Sequence, residues 1–237
     1  LEPAAIAAQL LALGREVDAV AAVAVDHPHV TAAVETLAAQ GKPVFTLLSD
    51  LSTPHRAGCI GVDQRKVGRT AGWAIRRLSP GEGTVGVFVG SHRYLGQEMR
   101  EISFRAYLRE HVPGLRVLDT QVNLEDAQLA FEATQAMLAR HADLVAIYVA
   151  GGGTSGVIRA LREEVLPRPI VTVCNELMPD RRDALIDGVI DLVIGTPVQR
   201  VAETAIEAML RALEPGGPAV ETAALTLPFE LYTPENV

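Results

Sequence analysis

Polar and charged side chains stand directly after four apolar, strand-like runs of the sequence. They are Ser49 and Asp50, Asp63, the group from His92 to Arg100, and Asn175 with Glu176. Carboxylates, amides and a guanidinium are the donors and acceptors that hold a polyhydroxylated ligand. No pair within this set has the spacing of a nucleophile with its general base. The pattern therefore favours ligand binding over catalysis.

The stretch 84–108 contains the most informative of these groups. A short run of Val and Phe predicts a buried parallel strand, and helical spacing follows a polar loop. Ligands of open α/β sheets bind outside the carboxyl ends of the strands, so this loop is where function is expected. Arg100 lies in the first turns of the helix and can direct its forked guanidinium over the strand end. The alternative is a solvated arginine that pairs with Glu98 or Glu101.

Strand-like and helix-like segments alternate at least six times, which predicts an α/β protein with parallel sheets covered by helices on both faces. A (β/α)8 barrel fits poorly because of the short strand at 59–62 and the terminal strand. The predicted helices are 3–13, 29–40, one that Asp63 caps, one ending near 112, 124–139, one ending near 165, 179–186 and 198–213. The predicted strands are 17–25, 43–48, 59–62, 84–89, 115–120, 144–149, 169–174, 191–194 and, after the linker 215–218, 222–232.

Composition limits the possible functions. The 237 residues carry a net charge of −8 and are 49% hydrophobic, which allows one large domain or two lobes and argues against this chain alone binding nucleic acid. No signal segment or membrane-spanning apolar run is found, and Cys59 and Cys174 are expected to be buried free thiols. These features predict a cytoplasmic protein with no membrane contact, metal or cofactor. Because the chain enters a helix without an initiator Met, we expect a fragment.

A glycine run offers a competing function. Residues 151–156 match the dinucleotide fingerprint G-x-G-x-x-G, and Glu176 follows about 20 residues later, where a ribose-binding acid belongs. Several βα units precede this run, however, whereas dinucleotide domains place it after their first strand. A tight turn beside another bound ligand would use the same glycines. A nucleotide-dependent enzyme with a nicotinamide cofactor is therefore the less favoured alternative.

Two segments resemble motifs of the LacI-type transcriptional regulators. Residues 60–69 resemble their V-D-N-x-x-x-G-R signature, with Gln64 in place of the asparagine. Residues 99–104 resemble their R-x-x-G-F element, with Ser103 in place of the glycine.

Two further segments extend the resemblance over the whole chain. Residues 173–176 resemble the V-G-F-D strand end, with Glu176 where aspartate is common. Residues 227–237 resemble the closing strand and R-E-N-V ending, with Pro234 where arginine is frequent. The order and spacing of the four segments match the family.

The resemblance implies a two-lobed periplasmic-binding-protein-like (type I) fold with hinge crossovers and an effector in the cleft. By this analogy the N-terminal lobe is 1–62 plus 196–221, and the C-terminal lobe is 63–195 plus 222–237. The family's first βα unit and its DNA-binding headpiece are expected to be missing from this chain.

The resemblance also assigns roles in the site. Arg100 would clamp hydroxyls or a carboxylate of the effector, Ser49 or Asp50 and Glu176 would accept hydrogen bonds, and Gly195-Thr196 would line the hinge side. Ala150 and the glycine run replace the asparagine or aspartate that the family carries there. The ligand-binding candidates are Ser49, Asp50, His92, Arg100, Gly151, Glu176 and Thr196; no catalytic or metal-binding residue is predicted.

The sequence thus predicts the effector-binding and dimerisation domain of a LacI-type repressor that binds a sugar or similar metabolite. The ligand would favour closed lobes, and a homodimer would relay the change to operator DNA through the absent headpiece. The alternative from the same fold is a solute-binding protein of a sugar ABC transporter. A nucleotide-dependent enzyme ranks third.

Overall fold

The computed structural model describes residues 2–166, 168–214 and 224–237. The chain divides into two compact units. The first comprises Leu1–Asp63, Arg93–Gly96 and Pro197–Pro228; the second comprises Gln64–His92, Gln97–Thr196 and Phe229–Val237. The helices are α1 (Pro3–Glu16), α2 (Pro28–Ala39), α3 (Gln64–Leu78), α4 (Leu95–His111), α5 (Ala127–Arg140), α6 (Thr154–Glu163), α7 (Pro179–Ile186) and α8 (Val198–Leu213). The strands are β1 (Val20–Ala22), β2 (Val44–Leu47), β3 (Gly58–Val62), β4 (Gly83–Val89), β5 (Leu115–Val117), β6 (Gln121–Val122), β7 (Leu144–Val149), β8 (Val171–Asn175), β9 (Leu192–Gly195), β10 (Ala224–Leu227) and β11 (Glu230–Tyr232).

The first unit is built on a parallel sheet of order β1-β2-β3-β10. Helices α1 and α2 contribute Leu10, Val30 and Leu37 to one core cluster with β1 and β2. Helix α8 contributes Val201 and its neighbours to a second cluster. The two central strands, β2 and β3, are largely buried, which explains why they are nearly continuous apolar runs.

The second unit is built on a larger sheet of order β11-β9-β8-β7-β4-β5, and β6 also pairs with β4. All its pairs are parallel except that of β11 with β9. Every residue of β7 is buried. Burial of an unbroken apolar strand needs helices on both faces, and the predicted α/β class with parallel sheets is confirmed.

The start of α5 differs from the prediction. The helix was expected from residue 124, but Leu124 and Glu125 have φ values of 54° and 63°, in the left-handed region. The Asp126 carboxylate accepts hydrogen bonds from the backbone N–H of Gln128 (2.7 Å) and Leu129 (2.9 Å). An N-cap of this kind satisfies the first free N–H groups, so the helix begins at Ala127.

The first helix and strand also differ from the prediction. Helix α1 continues through Gly14, which was expected to end it, and a Cβ at this position would overlap Leu37. Glycine is therefore needed here for close packing of α1 on α2 rather than for a helix stop. The predicted strand 17–25 is limited to β1, because its ladder with β2 extends over three residues.

The predicted terminal strand 222–232 is two strands. β10 pairs with β3 in the first sheet, whereas β11 pairs with β9 in the second. Pro228 lies between them and lacks the N–H needed to continue a ladder. Residues 224–227, which the sequence placed in the C-terminal lobe, thus lie in the first unit. The predicted linker 215–218 and Thr222 lie outside the described residues.

The predicted strand 115–120 is likewise divided into β5 and β6, which pair with different segments of β4.

The close approach of α5 and α6 generates a stability prediction. A Cβ at Gly156 would overlap the backbone carbonyl of Ala127, which cannot rotate away. Glycine to alanine in a helix normally stabilises by about 0.5–1 kcal/mol, so steric overlap should reverse the sign. Gly156→Ala is expected to lower the free energy of unfolding by about 1–3 kcal/mol in urea titrations.

Ser155→Ala, at the neighbouring exposed position of α6, is the matched control and should leave the unfolding midpoint unchanged or slightly raised. A Gly156→Ala protein as stable as wild type would contradict the proposed packing.

Candidate functional site

A buried guanidinium lies at the carboxyl edge of the second sheet. The Arg100 side chain is 9% exposed, and its donors reach three different segments. Nε donates to Oε1 of Gln64 (2.5 Å), Nη1 donates to the carbonyl of Ala150 (3.2 Å), and Nη2 donates to Oε1 of Glu176 (3.3 Å). Arginine has five N–H donors, so further donors remain for a ligand.

Glu176 joins this guanidinium to the segment that follows β9. Its carboxylate accepts hydrogen bonds from the Thr196 backbone N–H (3.1 Å) and hydroxyl (2.9 Å). The residue has a φ of 63°, and its N–H donates to the carbonyl of Ile194 (3.0 Å), which holds the side chain at the strand end. Arg100, Glu176 and Thr196, three of the predicted residues, are therefore in one hydrogen-bonded group.

A buried polar pair lies on β7 and β8, next to this group. The Asn175 amide donates to the hydroxyl of Tyr148 (3.2 Å) and to the carbonyl of Val149 (3.0 Å). Burial raises the pKa of Tyr148 to about 12, despite the lowering effect of Arg100 and Asn175. Within the described part of the chain, Asn175 Oδ1 is one of the few buried side-chain atoms without a hydrogen-bond partner.

His92 belongs to a separate network that is centred on Glu101 of α4. Its Nε2 lies 2.8 Å from Oε2 of Glu101, while Oε1 accepts hydrogen bonds from Arg105 Nε (2.8 Å) and from Thr120. Partial burial by itself would raise the pKa of Glu101, but the hydrogen bonds from Thr120, Arg105 and His92 together hold that pKa below its usual value. Glu101 is thus an ionised, buried acceptor.

The glycine run is shaped by close packing. A Cβ at Gly151 would overlap the Gln97 side chain, and a Cβ at Gly152 would overlap the carboxylate of Glu125. Gly153, with a φ of 79°, precedes the first residue of α6 and faces Asn123, whose amide donates to the Gly152 carbonyl (2.8 Å). Side chains occupy the space that a pyrophosphate would need, so the match to a dinucleotide fingerprint has a packing explanation.

Ser49 and Asp50 lie in the first unit, whereas the other candidates lie in the second. Ser49 is buried, and its hydroxyl accepts from the backbone N–H of Gly96 (3.2 Å). Asp50 accepts hydrogen bonds from the Leu51 N–H (2.8 Å) and from both Nε and Nη2 of Arg56, the second at 2.6 Å. Burial would raise the pKa of Asp50, but the bonds from Arg56, Leu51 and Thr46 hold it below its usual value.

The sequence reasoning missed several residues of the site. It named Gln64 only as a departure from a motif, and it treated Ala150 as a lost contact although its carbonyl receives Arg100. Gln97 was not singled out within the group from His92 to Arg100, and Glu125 carried no signal, because a glutamate in a polar loop is common. The side chains of Gln97 and Glu125 fit where they do because the neighbouring glycines have no Cβ and leave room for them.

The geometry of the described residues gives less support to a metal site, a reactive thiol or a membrane-spanning helix. Among residues 2–166, 168–214 and 224–237, no group of three or more His, Cys, Asp or Glu side chains could hold a metal ion. Cys174 is buried, and burial raises the pKa of its thiol to about 12; Cys59 is half-buried, and burial raises its pKa as well. In the same described segments, no helix has the length and apolar character required to cross a membrane.

Two α/β units with polar side chains at the carboxyl ends of parallel strands define a type I periplasmic-binding-protein-like fold. The chain belongs to the periplasmic binding protein domain family, whose sequence model matches residues 3–218. A comparison with curated proteins finds no match.

Solved structures of sugar-binding proteins share the fold. GanP, a glucose-galactose binding protein from Geobacillus stearothermophilus, is 19% identical with a TM-score of 0.88 over 99% of this chain and 82% of GanP. An ABC transporter solute-binding protein from Agrobacterium vitis, bound with α-D-tagatopyranose, is 22% identical with a TM-score of 0.85 over 99% and 82%. One from Bacillus halodurans with bound myo-inositol is 20% identical with a TM-score of 0.85 over 97% and 79%. Identities this low establish the fold alone.

The Glu101 network generates a pH prediction. Because the folded-state pKa of Glu101 lies below its ordinary value of 4.5, its ionised form stabilises the fold above that pH, and this contribution is lost as pH falls through the folded pKa. Glu101→Gln is expected to reduce the free energy of unfolding by about 1–3 kcal/mol at pH 7. The difference from wild type should shrink towards pH 3, measured by urea unfolding at both values.

Glu98→Gln, which removes another carboxylate from the same helix, serves as the control. A Glu101→Gln deficit that is equally large at low pH would show that shape, not charge, accounts for the loss.

Proposed function

We propose that this protein binds a neutral sugar or polyol at the carboxyl edge of the second unit's sheet. The observation that carries the proposal is the Arg100 fork, which is fixed by Gln64, Ala150 and Glu176 and keeps N–H donors for ligand hydroxyls. Glu176 supplies an acceptor beside it. A hydroxyl both donates and accepts, so neighbouring donors and acceptors of this kind suit vicinal hydroxyl groups.

The relatives support this ligand class. Among the similar proteins, one is a glucose-galactose binding protein, one holds α-D-tagatopyranose and one holds myo-inositol. These similarities favour a solute-binding protein of a sugar ABC transporter as the biological role.

The effector-binding domain of a LacI-type repressor is a second candidate, and a specific observation favours it. Gln64 and Gly68 belong to the first motif that resembles those regulators, and both contact Arg100 of the second motif. A Cβ at Gly68 would overlap the Arg100 carbonyl and the Ser103 hydroxyl. In this role the protein would act in the cytoplasm as a homodimer and reach operator DNA through a separate headpiece.

Binding should depend on the shape of the Arg100 side chain and not merely on its charge. Arg100→Lys keeps the charge but loses the planar fork, so affinity for the best ligand is expected to fall about tenfold to a hundredfold. The measurement is isothermal titration calorimetry with glucose, galactose, arabinose, tagatose and myo-inositol. Arg109→Lys, exposed on the last turn of α4, is the matched control.

Because Arg100 is buried, each variant is first checked for a wild-type circular dichroism spectrum. Glu176→Gln provides a second test if Arg100→Lys does not fold, and it should also weaken binding. Unchanged affinity in a folded Arg100→Lys protein would refute the proposed site.

The two biological roles predict different cellular locations. A solute-binding protein must be exported, whereas a repressor must remain with the chromosome. The epitope-tagged chromosomal gene product is fractionated in its own host, and bound DNA is recovered after crosslinking. We expect recovery from the exported fraction without enrichment of DNA; enrichment of an operator-like sequence would replace the transporter role with the repressor role.

A further inference from the structure

The carboxylate of the exposed residue Glu125 lies over two strand-end glycines of the second sheet. Oε1 of Glu125 accepts a hydrogen bond from Gln97 Nε2 (2.7 Å). A Cβ at Gly90 would overlap Oε1, and a Cβ at Gly152 would overlap Oε2. The carboxylate therefore lies directly against the backbone at the ends of β4 and β7, where ligands of such sheets bind.

The orientation of Gln97 keeps this carboxylate in place. Its Oε1 accepts from the backbone N–H groups of Gly90 (2.7 Å) and Ser91 (3.3 Å). The amide NH₂ must therefore point away from the strand end, towards Glu125. The Glu125 backbone is held in a left-handed conformation, and its N–H donates to Oδ1 of Asn123 (3.0 Å).

The location of the Glu125 carboxylate disfavours the binding of an anion at this edge of the sheet. Helix α6 begins two residues after Gly152, and a helix N-terminus ordinarily attracts phosphate. The negative charge of Glu125 beside it opposes that attraction and repels a second anion. Arg100 is already paired with Glu176, and Arg181 donates from Nη1 to the backbone carbonyl of Glu176 (3.2 Å).

We propose that Glu125 is a specificity-determining residue that excludes phosphorylated sugars, so that the site takes neutral sugars. This inference rests on the proposed function and adds the residue that excludes charged sugars from the site. The glycine run provides the room for the carboxylate, and the carboxylate sets the selectivity.

The test compares each neutral sugar with its phosphate ester by calorimetry: glucose with glucose 6-phosphate, galactose with galactose 1-phosphate, and myo-inositol with its 1-phosphate. Wild type is expected to bind the best neutral sugar at least about tenfold more tightly than its ester, a factor that corresponds to about 1.4 kcal/mol. Glu125→Gln keeps an oxygen acceptor for Gln97. It should lower the ratio of the neutral-sugar affinity to the ester affinity by at least about threefold. Because the effect is electrostatic, the wild-type ratio should also decrease in about 0.5 M salt.

Glu132→Gln is the matched control, because Glu132 is also exposed and accepts from a glutamine side chain at 2.7 Å but does not lie against Gly90 or Gly152. The Glu132→Gln protein should show the same ratio of neutral-sugar affinity to ester affinity as wild type. Neutral sugars that bind with a ratio unchanged by Glu125→Gln would overturn this inference and leave the proposed function standing. Failure of every neutral sugar to bind would overturn both.

Discussion

The second unit depends on the burial of one guanidinium. An unpaired buried charge is strongly unfavourable, so Arg100 requires acceptors on every side from which water is excluded. Those acceptors come from the first residue of α3, from the residue after β7 and from the residue after β8. One side chain of α4 thereby ties together segments that are 36 to 76 residues away in sequence. The requirement brings polar atoms of these three segments together at one edge of the sheet.

Backbone strain is concentrated at the same kind of position. Among the described residues, the non-glycine residues with positive φ are Leu48, Leu124, Glu125 and Glu176, and all follow the ends of strands. Such a conformation costs about 1–3 kcal/mol each and persists where surrounding contacts determine it. The Leu48 N–H donates to Ile60 and the Glu176 N–H donates to Ile194, so the neighbouring strand supplies that support in both units. The left-handed conformation places the side chains of these residues in positions that an extended backbone would not allow.

The layered architecture could be predicted from the sequence because buried parallel strands are unbroken apolar runs, and α7 and α8 have their predicted bounds. The errors have physical causes that a local pattern does not contain. The division of the last strand depends on which sheet accepts each half, and the delayed start of α5 depends on two left-handed residues before its cap. The proximity of Arg100 and Glu176 could be predicted because strand ends meet at one edge, whereas Thr196 was expected beside them only from the family resemblance. The separation of His92 from them could not, because it depends on which side of α4 its partner Glu101 faces.

The glycine run illustrates how a motif acquires its meaning from the side chains around it. Glycines at 151–153 could accommodate a pyrophosphate as well as they accommodate Gln97, Glu125 and Asn123, since all of these need the same absence of a Cβ. A pyrophosphate would require the helix N-terminus to face it with positive potential. The carboxylate of Glu125 occupies that space instead, and its negative charge disfavours an anionic group there. The selectivity of this edge therefore depends on the loop at 123–125, and the glycines supply the space in which that loop acts.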